Sequence, residues 1–293
     1  MRAGILAAAG CVTGLILCAA AAGAAPRVVC FPDRPSPGEL FFVNVKGVAT
    51  DGHLEIRFAG RVFSLWPRGE TMWEGLAAVD RDQAPGEVEL AVFEATREVP
   101  LSRVSVRVAP RDYPEQKLTV PERTVTLSPE DQERAAQEAQ LIARALATRS
   151  LSRRWEAPVL LPAEGPVSGP FGVRRIYNGK AKGYHGGLDI AAARGTPVRA
   201  PASGVVGLVG DFFYTGNTVF VDHGLGLLTA FFHMESAAVT EGQAVQAGDV
   251  LGHVGSTGRS TGAHLHWGLY LAGVRADPMS WVRLASGVGD GGE

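Results

Sequence analysis

Three patterns of apolar and polar positions divide the chain. At the start, Arg2 precedes an unbroken apolar run that ends in Ala22-Gly23-Ala24, the small residues of a signal-peptide cleavage end. Residues 1–24 are therefore expected to be a secretory signal cut after Ala24. A membrane anchor is the competing reading, and no charge flanks the run before Pro26 to support it. From Val28 to Val108 apolar residues alternate with polar ones or cluster at strand length. The segments are Leu40–Val45, His53–Phe58, Val88–Phe93 and Arg103–Val108, with Pro37-Gly38 and Pro85-Gly86 as breakers. Short strands with no helix between them predict an immunoglobulin-like β-sandwich over residues 25–110. Trp66 and Trp73 are expected to fill its core rather than stack on sugar rings.

After Leu127 the period changes. Ser128 can cap, Pro129 suits the first helical position, and Glu130 and Asp131 complement the helix dipole. A connecting helix is predicted over 128–147, with Ala135, Ala139, Ile142 and Leu146 on one stripe, inside a linker spanning 111–154. From Trp155 the composition turns to Gly, Pro, Val and Thr. Val198–Ala200, Gly204–Gly207, Asn217–Asp222, Leu227–His233, Val250–Val254 and Ala263–Tyr270 read as strands between Gly-rich turns. The chain is thus expected to be mainly β, with an antiparallel domain over 155–285 and a flexible tail at 286–293. Parity along one strand puts Leu228, Ala230, Phe232 and Met234 on an apolar face and Thr229, Phe231 and His233 on the other. His233 is expected to emerge away from the core face.

Charge and cysteine content narrow the function. With 28 basic and 30 acidic residues the net charge is -2, which gives no footprint for nucleic acid. Of three cysteines, Cys11 and Cys18 lie in the expected signal, without a lipobox at either. Only Cys30 remains, so the exported chain would rest on its cores rather than on an internal disulfide.

The candidate chemistry is concentrated near the C-terminus, in Gly262-Ala263-His264-Leu265-His266-Trp267-Gly268. In an extended segment His264 and His266 share a face and Leu265 takes the other. Two imidazoles are too few for a catalytic zinc, which takes three protein ligands and keeps a position for water. The best further donors are His185 and Asp189, in His185-Gly186-Gly187-Leu188-Asp189. In a straight strand they would stand roughly 13 Å apart, too far to share an ion whose ligands sit at about 2 Å. A helix would carry a Gly-Gly pair at a cost of roughly 2 kcal/mol. A bent loop remains, with Gly186 and Gly187 supplying unusual backbone angles. His53, His223 and His253 complete no ligand set, and Asp211, Asp249 and Asp277 read as turn residues.

Phe171-Gly172 with Arg174 and Arg175, then His185-Gly186-Gly187-Leu188-Asp189-Ile190, Gly195-Thr196-Pro197-Val198, Asp222-His223-Gly224, His233, Gly255-Ser256-Thr257-Gly258 and His264-Leu265-His266 follow one another in order. Over about residues 167–281 this resembles the lysostaphin/LytM-type zinc peptidases. The resemblance implies that His185, Asp189 and His266 hold one Zn2+, with His264 and His233 facing water and substrate. It also implies a groove between β-hairpin loops and a peptidoglycan peptide as substrate. Phe232, Met234 and Ala263 stand where Tyr, Leu and Pro are common, and none of these departures removes a ligand. Two neutral imidazoles and one carboxylate would leave the zinc site at net +1, which acidifies water toward a pKa of about 7. No H-E-x-x-H supplies a glutamate base, so His264 is the first choice for taking the proton and His233 for orienting the carbonyl.

The function implied is an exported zinc metalloendopeptidase of the periplasm or cell exterior, with no nucleic-acid partner and no integral membrane domain after signal cleavage. Cell-wall or divisome proteins could be reached through the N-terminal domain. The alternative is a non-catalytic LytM-like regulator that activates a cell-wall amidase, whose mark would be lost ligands.

Overall fold

The computed structural model describes residues 25–119 and 127–287. The expected signal peptide, with Cys11 and Cys18, and residues 288–293 of the expected tail lie outside them. The N-terminal alternation becomes seven strands: β1 (Arg27–Phe31), β2 (Leu40–Lys46), β3 (Leu54–Phe58), β4 (Arg61–Pro67), β5 (Met72–Ala78), β6 (Gly86–Glu94) and β7 (Ser102–Val108). They follow the order β1-β2-β5-β4-β3-β6-β7 with every neighbour antiparallel. β4 makes the corner, its first half pairing with β3 and its second with β5. Lettered in chain order this is A-B-E-D-C-F-G, which keeps the strand neighbours of a constant-type sandwich and adds a D–C link. Phe41, Val43, Val45, Leu54, Ile56 and Phe58 alternate inward and are buried. Trp66 and Trp73 are buried too. Trp66 meets Trp155 edge-on at 5.9 Å and Trp155 meets Trp281 at 5.6 Å, so the aromatic core runs on into the C-terminal part.

The expected linker holds a strand as well as a helix. β8 (Glu115–Leu118) has no apolar alternation to announce it, because its pairing rests on backbone hydrogen bonds to a later strand. The helix α1 (Pro129–Leu146) starts as expected, with Ser128 Oγ accepting the Asp131 N–H. Its inward stripe differs: Ala139 is exposed, and Glu138 takes the inward place and accepts the Phe213 N–H at 2.6 Å. Ile142 and Leu146 pack on a small cluster of Phe220, Leu228, Ala230, Phe232 and Tyr270. Among the described residues no helix is long and apolar enough to cross a membrane.

The C-terminal strands are β9 (Val167–Gly169), β10 (Arg174–Tyr177), β11 (Lys180–Tyr184), β12 (Leu188–Ile190), β13 (Pro197–Arg199), β14 (Gly204–Phe212) and β15 (Gly216–Gly224). They continue as β16 (Leu227–Ala237), β17 (Ala244–Val245), β18 (Val250–Val254), β19 (Leu265–Leu271) and β20 (Val274–Ala276). The main sheet runs β17-β14-β15-β16-β19-β12-β9, with β13, β18 and β20 attached beside this path. A small sheet, β11-β10-β8, stands apart from it. Its β8–β10 pair is parallel, whereas the C-terminal pairs are otherwise antiparallel, so the chain is mainly β as expected. A closing helix, α2 (Pro278–Ala285), was not expected. Asp277 is its N-cap rather than a turn residue, accepting the Met279 N–H at 3.0 Å with Pro278 in the first position.

β16 corrects the parity argument. Both of its faces are buried: Leu228, Ala230 and Phe232 under α1, and Leu227 and Phe231 in the main core. An apolar face therefore did not mark out a single core side.

Candidate metal centre and its groove

β12 lies between β9 and β19, and β19 lies beside β16, so Asp189 faces His266 and His266 faces Phe232 in direct register. Direct partners share a sheet face. Asp189 Oδ1 is 2.7 Å from His266 Nδ1. Leu265, of opposite parity, is fully buried in the core, as the alternation requires. His264 precedes the strand and makes an isolated bridge to Gly255.

His185 comes from the loop in front of β12. Its Nδ1–H donates to the Pro170 carbonyl at 2.8 Å, which turns Nε2 inward, 2.8 Å from Asp189 Oδ1 and 2.9 Å from His266 Nδ1. The bent loop is as expected, but its glycines act differently. Neither Gly186 nor Gly187 adopts a left-handed backbone. A Cβ on Gly187 would meet the Trp267 carbonyl oxygen at 2.5 Å and His266 Nε2 at 2.6 Å, so close approach is what requires glycine there.

His233 reaches the same place by a backbone device. It sits at φ 61 where the β15–β16 register slips between Asn217 and Val219. Strict alternation would have sent it inward with Phe231. Instead Phe232 and His233 both reach the site and Met234 returns to the core. The expected position was right and the parity reason for it was not. His233 Nδ1–H donates to the Thr257 carbonyl at 2.9 Å, and its ring is 4.9 Å from that of His264. His264 Nδ1–H donates to the Gly262 carbonyl at 2.9 Å, leaving Nε2 3.9 Å from Asp189 Oδ1. All five residues singled out in the sequence, His185, Asp189, His233, His264 and His266, thus converge.

Charge is balanced around one carboxylate. Burial would raise the Asp189 pKa, but the His185 and His266 ring nitrogens set against its Oδ1 outweigh it and hold the group well below the usual carboxylate range. Its second oxygen, Oδ2, accepts from Arg175 Nη2 at 2.9 Å. Burial pushes His266 down to about 4 and His233 down to about 3, so both are neutral near pH 7. With the Nδ1–H of His185 given to the Pro170 carbonyl, Nε2 and Asp189 Oδ1 are two acceptors held 2.8 Å apart in a buried place, which a shared cation would reconcile. Among the described residues, His185, Asp189 and His266 form the one cluster of donors fit to hold a metal ion. Two imidazoles and a carboxylate suit zinc.

Several supports carried no sequence signal. Phe232 stacks on His266 with ring centroids 5.1 Å apart and planes within 3°. Arg81, from the turn after β5, donates to the Gly172 carbonyl at 3.0 and 2.9 Å, and the Gly172 N–H donates to the His185 carbonyl at 2.8 Å. The sandwich therefore braces the turn behind His185. The groove over the centre has a volume of about 210 Å³. A larger cavity of about 410 Å³ lies between the β1–β2 connection and α2, away from the histidines. Chemistry rather than volume marks the site.

Residues 183–278 match the family described as Peptidase family M23. The DD-carboxypeptidase/endopeptidase Mpg of Neisseria meningitidis serogroup B is 42% identical over 114 residues, 39% of this chain and 26% of that protein. The peptidoglycan DD-endopeptidase ShyA of Vibrio cholerae is 38% identical over 124 residues, 42% of this chain and 29% of that protein. The chain thus spans little more than a quarter of the length of these curated relatives. A solved Pseudomonas aeruginosa structure described as peptidase M23 superimposes with a TM-score of 0.66 at 32% identity, covering 85% of this chain and 95% of that one. That overlap takes in sandwich and C-terminal sheet together, and on it the chain belongs to peptidase family M23.

Proposed function

We propose that this M23 peptidase is an exported zinc metalloendopeptidase that hydrolyses peptide bonds in bacterial peptidoglycan, at an amide joining two D-configured residues. The observation that carries the reading is the convergence of His185 Nε2, Asp189 Oδ1 and His266 Nδ1 to within 2.9 Å of one another. The choice of bond is supported by the DD-endopeptidase names of the relatives. Export is supported by the apolar run and Ala22-Gly23-Ala24. The division into a sandwich over 25–110 and a peptidase domain over 155–285 belongs to the same reading, with the sandwich as spacer, wall-binding unit or the face that meets other envelope proteins.

His185, Asp189 and His266 would hold Zn2+, which when bound acidifies water and polarises the scissile carbonyl. His264 is the base: its Nδ1–H is committed to the Gly262 carbonyl, so Nε2 presents a lone pair toward the site. His233, kept neutral by burial and pinned through Thr257, orients the carbonyl. Arg175 balances the outer oxygen of Asp189. The amidase-activating alternative loses support because no donor of the set is missing.

The test is mass spectrometry of muropeptides released from purified sacculi by the mature protein and by His264→Ala, with zinc content measured in both. Release that is abolished by chelation and restored by zinc, and lost in His264→Ala with its zinc retained, is the expected result. Unchanged release by the variant would remove His264 from the chemistry, and zinc without release by either protein would favour the regulator.

A further inference from the structure

Asp189 and His266 are placed by strand pairing, whereas His185 comes from a loop and must be held there by other means. Segment 170–173 holds it at three points. The Pro170 carbonyl accepts from the His185 ring, the Gly172 N–H donates to the His185 carbonyl, and the Val173 carbonyl accepts the His185 N–H, each at 2.8 Å. His185 is therefore placed no more firmly than residues 170–173 are. Those residues are gripped from the sandwich side. Arg81 gives both Nε and Nη2 to the Gly172 carbonyl, at 3.0 and 2.9 Å. Its remaining nitrogen, Nη1, pairs with Asp82, and only 11% of the side chain is exposed. Its guanidinium also lies over the rings of Tyr113 and Tyr184, 4.7 and 4.9 Å from their centroids. Tyr184 is the residue next to His185.

Close packing leaves this contact little slack. Gly172 sits at φ 85, and a Cβ there would lie 1.9 Å from Tyr113 Cε1, so the turn rests directly on that ring. Tyr113 is tied down in turn, its hydroxyl donating to the Pro37 carbonyl at 2.6 Å. Phe171, buried, meets both Tyr113 and Tyr184 edge-on at 6.2 Å, and a Cβ on Gly38 would lie 2.5 Å from its Cε1. A guanidinium is flat and carries its donors in one plane, so it meets aromatic rings and a carbonyl at once, which an ammonium does less well. We infer that Arg81 is a positioning residue of the metal centre: through Gly172 it sets where His185 presents Nε2, and the sandwich thereby takes part in metal binding instead of serving as a spacer alone. The effect on zinc rests on the proposed function; the grip of Arg81 on the His185 loop does not.

The test compares the full-length mature protein with Arg81→Ala, Arg81→Lys and a control, Arg103→Gln, which removes an exposed sandwich cation paired with Glu89. Zinc affinity is read by chelator competition, the ligand geometry by the d–d spectrum of Co2+ bound in place of zinc, and the loop itself by amide hydrogen exchange in the metal-free proteins. Arg81→Ala is expected to bind zinc about tenfold more weakly, with an altered Co2+ spectrum. The Gly172 and His185 amides should exchange about tenfold faster in it, while those of β2 and β6 keep their rates. Arg81→Lys should recover part of each loss, and Arg103→Gln should match the unaltered protein. Unchanged zinc affinity and unchanged exchange at Gly172 and His185 in Arg81→Ala overturn the inference. So does faster exchange spread evenly over the sandwich with zinc affinity intact, which would make Arg81 a fold-stabilising residue only. If Arg81→Ala does not fold, Arg81→Lys decides, and values equal to those of the unaltered protein overturn the inference. Selective loss of protection at Gly172 and His185, in a protein that binds no zinc even unaltered, would count against the proposed function and uphold the grip of Arg81 on His185.

Discussion

Asp189 and His266 are direct register partners of β12 and β19, so the 2.7 Å between Oδ1 and Nδ1 is set by strand pairing rather than by a flexible loop. Pairing fixes where the carboxylate stands but not how it turns about its own axis. That rotation is held by Arg175 Nη2, 2.9 Å from Oδ2. Arg175→Ala is therefore expected to weaken zinc retention by about 10- to 100-fold, the usual effect of removing a group that orients a ligand. Chelator competition reads it directly, with Arg175→Lys recovering part of the loss. Zinc release as slow as in the unaltered protein would show that the carboxylate holds its own orientation.

Gly187 is a steric requirement of the same pair. An alanine there would bring its Cβ to 2.5 Å from the Trp267 carbonyl oxygen and 2.6 Å from His266 Nε2. Both neighbours belong to β19, and the carbonyl cannot rotate away without breaking sheet pairing. Gly187→Ala should cost about 1–3 kcal/mol as overpacking does, and should displace His266 enough to lose zinc at ordinary concentrations. Melting curves with and without added zinc separate the two effects. A variant whose melting temperature still rises with zinc as in the unaltered protein would refute the displacement.

How much of this was legible in the sequence depends on what each residue's signal was. The period-2 strands, the Ser128-Pro129 start of α1 and the shared face of His264 and His266 are local patterns, and they appear where the pattern puts them. β8 was not legible, because Glu115-Gln116-Lys117-Leu118 pairs through its backbone with a strand 56 or more residues later in the chain. The placement of His233 was foreseen on faulty grounds. A left-handed residue inside a strand leaves no periodic trace, and parity alone sends its side chain to the wrong side. Asp277 looked like a turn because Asp-Pro opens turns and helices alike; burial of Trp281 decides for the helix. Arg81 acts across the fold, and no spacing rule reaches it; Arg175 stands in the motif that carries the resemblance, but nothing in the motif told its role beside Asp189.

Phe232 links the helix to the candidate metal centre. Its ring lies parallel to His266 on one side and 5.8 Å from Phe220 on the other, and Ile142 and Leu146 of α1 cover that cluster. Phe232→Ala should cost about 3 kcal/mol, as for a buried aromatic, and should loosen His266 so that zinc exchanges faster. Phe232→Tyr keeps the ring and should leave zinc exchange within about twofold, since half an RT or so is all a retained stack would change. Denaturant unfolding and zinc exchange rates check the pair. Equal exchange in Phe232→Ala and the unaltered protein would mean that sheet pairing alone fixes His266.

His223 makes stability depend on pH at a distance from the catalytic chemistry. It is fully buried, its Nδ1–H donates to the Ser203 carbonyl at 2.8 Å, and its Nε2 accepts from the Thr229 hydroxyl at 2.8 Å. Trp281 lies against the ring at 5.2 Å. Burial pushes its pKa down to about 4, so the folded protein keeps it neutral where an unfolded chain, at about 6.5, takes up a proton. Between those values the unfolded state binds more protons, so stability falls as pH falls from about 6.5 to about 4 and this contribution is flat below that. The lost share is about 3 kcal/mol. Denaturant unfolding at a series of pH values, with chelator present so that protons do not compete with metal, should show His223→Gln losing that much less than the unaltered protein between pH 7 and pH 4. Parallel curves would mean that His223 is already protonated in the folded state, with Nε2 no longer an acceptor for Thr229.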